Sequence, residues 1–141
     1  GLSCTTTVHI CYGYGIKANI DWKSNLGGEW RQYEQIFPAL ATSRIDQVSV
    51  ECINSRVPTQ LLSLLAGKDV VIGAIDVAND TVETPEQVAA VIAEALRFVP
   101  KEHLVVGTNC GMAPMRTDVA YAKLNALTAG TALARAAIAA Y

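Results

Sequence analysis

His9 and Cys11 stand two residues apart in the run TTTVHICYGYG (5–15), which begins like a buried strand. On a strand, residues at that spacing point to the same face, with Cα atoms about 6.5–7 Å apart. An imidazole nitrogen and a thiolate sulfur so placed can reach one ion, at typical bond lengths of about 2.0 and 2.3 Å. H-x-C is therefore half of a metal site. Alone it is a weak signal, because single histidines and cysteines more often belong to a core. Two further residues strengthen it, Glu51 near the end of the second β-rich run and Cys110 at the close of the fourth; Asp76 lies near the end of the third. In parallel α/β folds the carboxyl ends of the strands share one rim, where sites are built. His9, Cys11, Glu51 and Cys110 then converge there, each a competent zinc ligand.

The charge of that set predicts its chemistry. Two thiolates, a carboxylate and a neutral imidazole sum to about −3, so a divalent zinc leaves the site near −1. Such an ion is a poor Lewis acid, because its ligands already quench it. A thiol binding there would still lose its proton, and the anionic shell would keep its sulfur electron-rich. The expected chemistry is activation of a thiol as nucleophile rather than of water or a carbonyl.

Other chemically able residues have plainer roles. Cys4 and Cys52 read as small buried hydrophobes, and strand alternation puts Cys52 on the face opposite Glu51. His103 precedes its strand and reads as solvent-facing or as a cap. Gly13, Gly15, Gly27 and Gly28 match no GxGxxG or Walker spacing and read as loop hinges. Trp22, Trp30 and Tyr33 read as packing residues.

The elements that must position these residues alternate regularly. Strands are predicted at 5–12, 47–53, 69–77 and 103–110, with the continuous apolar content of the third arguing burial on both faces. Helices are predicted at 29–43, with a kink at Pro38, at 58–67, from Thr84 to Val99, and from about Met115 to Tyr141. The third is the clearest: Thr84 caps it, Pro85 takes its first position, and Gln87 completes a capping-box spacing. Val88, Val91, Ile92, Ala95, Leu96 and Val99 follow on one face, and Pro100 ends the run. Strand–helix alternation means parallel strands with helical crossovers. An open doubly wound sheet and part of a (β/α)₈ barrel both satisfy it; a whole barrel takes about 250 residues.

The bulk properties agree with an enzyme-like interior. In 141 residues, 51% are hydrophobic and 17% charged, which excludes a disordered chain. A net charge of −2 with scattered basic residues excludes a nucleic-acid footprint. No apolar run is long enough to span a bilayer, and the first residues lack a signal-peptide pattern, so the expected setting is cytoplasmic. In a reducing compartment, the four cysteines point to metal or catalysis before disulfides.

Taken together, HICYGYG, VSVECINSR, GAIDVAND and GTNCGMAPM resemble the C-terminal catalytic half of the cobalamin-independent methionine synthases, over roughly residues 5 to 135. The likeness is greatest to short, single-barrel homologues. It implies a (β/α)₈ barrel of which these strands are the fifth to eighth, so that residues 1–141 form the C-terminal half of the catalytic barrel without its N-terminal half. By the same resemblance His9, Cys11, Glu51 and Cys110 are zinc ligands, and homocysteine binds as a thiolate that attacks a methyl donor to form methionine. Folate-using members carry a D-I-H-S-P-like segment on the seventh strand, whose His protonates the leaving folate. Here the run is DVAND, with Asp76 retained and Ala78 in the place of the His. The expected donor is therefore not polyglutamated methylfolate but a corrinoid or a methyl source supplied by a partner protein. Asp76 is left to position substrate or order the rim, while Asn109 and Met112 beside Cys110 serve either pocket or packing.

A half-barrel implies unpaired outer strands and an exposed apolar interior, covered in a parent enzyme or by self-association. The isolated piece is expected to be inactive. Two other functions fit the residues: a zinc methyltransferase for another thiol, such as coenzyme M, and a non-catalytic α/β module whose Cys and His are only core.

Overall fold

The computed structural model describes residues 3–140. Four short strands form one parallel sheet: β1 (Thr7–Ile10), β2 (Gln47–Glu51), β3 (Asp69–Gly73) and β4 (Leu104–Gly107), in the spatial order β1-β2-β3-β4. Each strand lies beside the next in sequence. A doubly wound sheet needs a reversal of order at its switch point; sequential parallel strands with helical crossovers are how a (β/α)₈ barrel is wound. The chain is four consecutive βα units, half of such a barrel.

The register divides the sheet into two faces. Val48, Val50, Val70 and Ile72 are fully buried and pack with Phe37, Leu62, Leu65, Val88 and Ile92 in one core. The opposite face is open, and it is more polar than the expected apolar interior. Along its lower edge Thr7 Oγ1 donates to Gln47 Oε1 (3.0 Å), Gln47 Nε2 to Asp69 Oδ2 (3.4 Å), and His103 Nδ1 lies 2.9 Å from Asp69 Oδ1. Above this ladder the paired residues are His9, Ser49, Val71 and Val105. Val71 is half-exposed, so β3 is buried on one face and not on both.

The helical layer differs from expectation at its start. The predicted helix at 29–43 is a 3₁₀ turn (Gln32–Gln35) followed by α2 (Phe37–Ala41). Pro38 would clash with the carbonyl four residues back in a continuous helix, so α2 restarts with Pro38 in its first turn. An additional helix, α1 (Lys17–Ser24), fills what read as loop; it buries no residue. The segment expected as a helix at 58–67 is a 3₁₀ run, Thr59–Leu65, whose Leu61, Leu62 and Leu65 are buried.

The later helices follow the sequence closely. Thr84 caps α3 (Pro85–Ala95): its Oγ1 accepts from Gln87 N–H (3.2 Å), and Gln87 Oε1 accepts from Thr84 N–H (2.8 Å). α4 (Thr117–Ala139) crosses α3 closely at Gly130, where an added Cβ would lie 2.4 Å from Val88 Cβ. The end of the predicted helix at Tyr141 lies outside the described residues. No helix among those described is long and apolar enough to cross a membrane.

Candidate metal centre

β1 ends one residue before Cys11, and β4 ends three before Cys110. Their sulfurs nonetheless lie 3.9 Å apart. Ligand atoms of His9, Cys11 and Cys110 all fall within 4.8 Å of one another, the one such group among the described residues. Two thiolates at about 2.3 Å from a tetrahedral ion would have sulfurs about 3.8 Å apart. The observed separation fits that geometry. His9 Nδ1 lies 3.0 Å from Ser49 Oγ, its register partner on β2, which leaves Nε2 free to ligate. A cleft of about 320 Å³ opens beside these groups, lined by His9, Ser49, Val71, Thr108 and Cys110.

Glu51 falls outside the three-residue group. It is buried at the end of β2, where Oε1 accepts Tyr12 N–H (2.8 Å) and Oε2 accepts the Tyr14 hydroxyl (2.7 Å). Burial, and then Glu51 itself, push the Tyr14 phenol well above its ordinary range, so it remains a donor. Burial also raises the Cys11 thiol, with the neighbouring Cys110 and Glu51 adding to the effect. An ion binding there would have to displace a proton from Cys11.

Asn109 holds the loop that delivers Cys110. It is 1% exposed; its Oδ1 accepts Cys52 N–H (3.0 Å) and its Nδ2 donates to Ile53 O (2.8 Å). Its own N–H donates to Ile75 O at 2.9 Å. The amide thus ties the loop after β2 to the loop after β4, passing over Gly73. An added Cβ on Gly73 would lie 2.2 Å from Asn109 Oδ1, so the close approach requires glycine.

Asp76, at the same rim, faces inward to its own loop. Oδ1 accepts Ala78 N–H (2.8 Å), and Oδ2 accepts from Asn54 Nδ2 (3.0 Å) and Asn79 Nδ2 (2.8 Å). Its backbone N–H donates to Glu83 Oε1 (2.8 Å), whose carboxylate is paired with the fully buried Lys123 of α4 (3.1 Å). Asp76 is therefore an organiser of the rim.

Two cysteines lie apart from the group. Cys52 packs against the core with its Sγ 3.6 Å from Val50 O, and burial pushes its thiol up to about 12. Cys4 is exposed, correcting its reading as a buried hydrophobe: it lies ahead of β1, where no helix covers it. Tyr14, Ser49, Glu83 and Lys123 were missed in the sequence. Ser49 alone had a signal, since it precedes Glu51 by two on the same strand face.

A thiol- and imidazole-lined group at the carboxyl rim of a half-barrel is a candidate metal centre on an α/β scaffold. The chain belongs to the cobalamin-independent synthase family: the family model described as "Cobalamin-independent synthase, Catalytic domain" matches residues 30–132. It is 28% identical to a methionine synthase of Saccharolobus islandicus over 96% of this chain and 36% of that protein. A methionine synthase of Sulfurisphaera tokodaii is 25% identical, over 96% and 35%. The solved structure of a B12-independent methionine synthase from Shewanella sp. W3-18-1, in complex with selenomethionine, is 57% identical with a TM-score of 0.94, covering all of this chain and 41% of that one. The chain thus spans about a third of the length of these curated relatives.

Proposed function

We propose that this chain carries the zinc-binding half of a catalytic barrel that methylates the thiol of homocysteine to give methionine in a reducing, cytoplasmic setting. The observation that carries this reading is the 3.9 Å approach of Cys11 to Cys110 beside His9. The proposed ligands are His9, Cys11 and Cys110, with Glu51 the fourth when no thiol occupies that corner. Bound zinc would supply a site where a thiol loses its proton and stays nucleophilic. Ser49 orients His9, and the Tyr12 N–H and Tyr14 hydroxyl hold Glu51. The cleft beside Cys110, about 320 Å³, has room for a small amino-acid thiol. In the transfer, the homocysteine sulfur bonds the methyl carbon as the donor–carbon bond breaks, and that electron pair leaves with the donor.

The donor proposed is a corrinoid or a methyl-bearing partner protein. Supporting this, Ala78 has no acid to offer a leaving folate, and the Asp76 carboxylate is engaged with Asn54, Ala78 N–H and Asn79. Turnover is proposed to need the part of the barrel that the relatives have beyond this match. The outer edges of β1 and β4 lack strand partners among the described residues, and self-association of the half-barrel is one way to cover them.

The test is calorimetric titration of homocysteine into the zinc-loaded chain in buffers of different ionisation enthalpy. Binding with release of about one proton per thiol is expected. Binding without proton release, or equal binding by Cys110→Ser, would overturn the reading.

A further inference from the structure

Resting on the metal-centre reading above, we propose that Tyr14 is a positioning residue: its hydroxyl competes with the metal for Glu51 and so eases the exchange of Glu51 for a substrate thiolate at the fourth corner. Glu51 is 4% exposed, and each of its oxygens has one protein donor. The two donors differ in kind. The Tyr12 N–H is backbone, set by its place directly after Cys11, and cannot release Glu51 without moving the end of β1. Tyr14 is a side chain on a loop, flanked by Gly13 (φ 75°) and Gly15 (φ 84°), whose left-handed backbone turns the ring back toward β2.

Independent contacts hold that ring in place. Lys23 Nζ lies 5.2 Å from the Tyr14 ring centroid and donates to Gly13 O at 2.7 Å. Together with Trp22, stacked on Tyr12 at 5.6 Å between ring centroids, this lysine ties α1 to the rim. A hydroxyl bonded to a carboxylate makes one of the stronger hydrogen bonds available to a side chain. Carboxylate oxygens have lone pairs to spare, so Tyr14 does not block ligation by Glu51. It sets the energy difference between Glu51 on the metal and Glu51 on the tyrosine.

The test uses the 141-residue chain loaded with Co²⁺ alone and then titrated with homocysteine. The visible bands of Co²⁺ report its ligand set, which a purely structural role for Tyr14 would leave unchanged. In Tyr14→Phe the bands should shift before any thiol is added, and homocysteine should bind roughly tenfold more weakly, as loss of a hydrogen bond to a charged group implies. Adding Glu51→Gln to Tyr14→Phe should restore homocysteine affinity, because the amide no longer competes for the corner. Unchanged bands and affinity in Tyr14→Phe overturn the proposal, as does a loss that persists in the double variant. Absence of Co²⁺ uptake by the unmodified chain overturns the metal-centre reading itself, and this proposal with it.

Discussion

Cys11 Sγ and Cys110 Sγ meet at 3.9 Å although they follow the two outermost strands of the sheet and lie 99 positions apart. Three interstrand spacings of about 4.8 Å would separate the outer strands of a flat sheet by about 14 Å. The rolled sheet and the loop after β4 close that gap, and Asn109 holds the loop down over Gly73. The candidate metal centre therefore depends on an amide that touches none of the proposed ligand atoms.

Asn109→Ala should weaken metal binding by about 10–100-fold, the usual cost of losing an outer-shell partner. Competition with a chromogenic chelator measures this. Gly73→Ala should act at the same point, since its Cβ would sit 2.6 Å from Asn109 Cα. A loss of about 1–3 kcal/mol in urea denaturation is expected from overpacking.

Lys123 and Glu83 form a buried ion pair, with side chains 0% and 7% exposed. Lys123→Met leaves the Glu83 carboxylate without its counter-charge and should cost about 3–5 kcal/mol. The double variant Lys123→Met/Glu83→Gln should cost less than the two single changes added together. Denaturation of all three variants tests this.

The cysteines should differ sharply in reactivity. Cys4 is exposed, whereas Cys52 has a thiol near 12 and is packed against the core. Brief iodoacetamide treatment of the native chain, read by peptide mass spectrometry, should label Cys4 first and leave Cys52 unmodified.

At the lower edge of the sheet, the His103 hydrogen bond holds the Asp69 carboxyl below its ordinary range, with Gln47 contributing. A depressed folded value means that this contribution to stability is present above the ordinary carboxylate pKa and is lost as pH falls through the folded one. Both side chains are partly exposed, so the effect is small and salt-sensitive. In His103→Ala the Asp69 titration followed by carboxyl NMR should move up toward the ordinary value.

Much of this architecture was legible in local pattern. The H-x-C spacing, the α3 capping box and strand–helix alternation each depend on neighbours a few residues away. The strand order β1-β2-β3-β4 was not legible in pattern alone, which does not record which parallel strands pair; it followed from the resemblance to a barrel family. α1 escaped notice because it buries nothing and so leaves no apolar stripe. The contacts of Glu51 depend on how the 13–15 loop curls back onto β2, a long-range outcome that strand spacing does not encode. Residue types at the rim were readable; the hydrogen bonds that aim them were not.

The most direct test of the central claim is zinc per chain by elemental mass spectrometry, on protein purified without chelators, beside Cys110→Ser and Cys52→Ser. The account predicts about one zinc in the unmodified chain and in Cys52→Ser, and none in Cys110→Ser. Zinc lost only in Cys52→Ser, or absent from the unmodified chain, would contradict it.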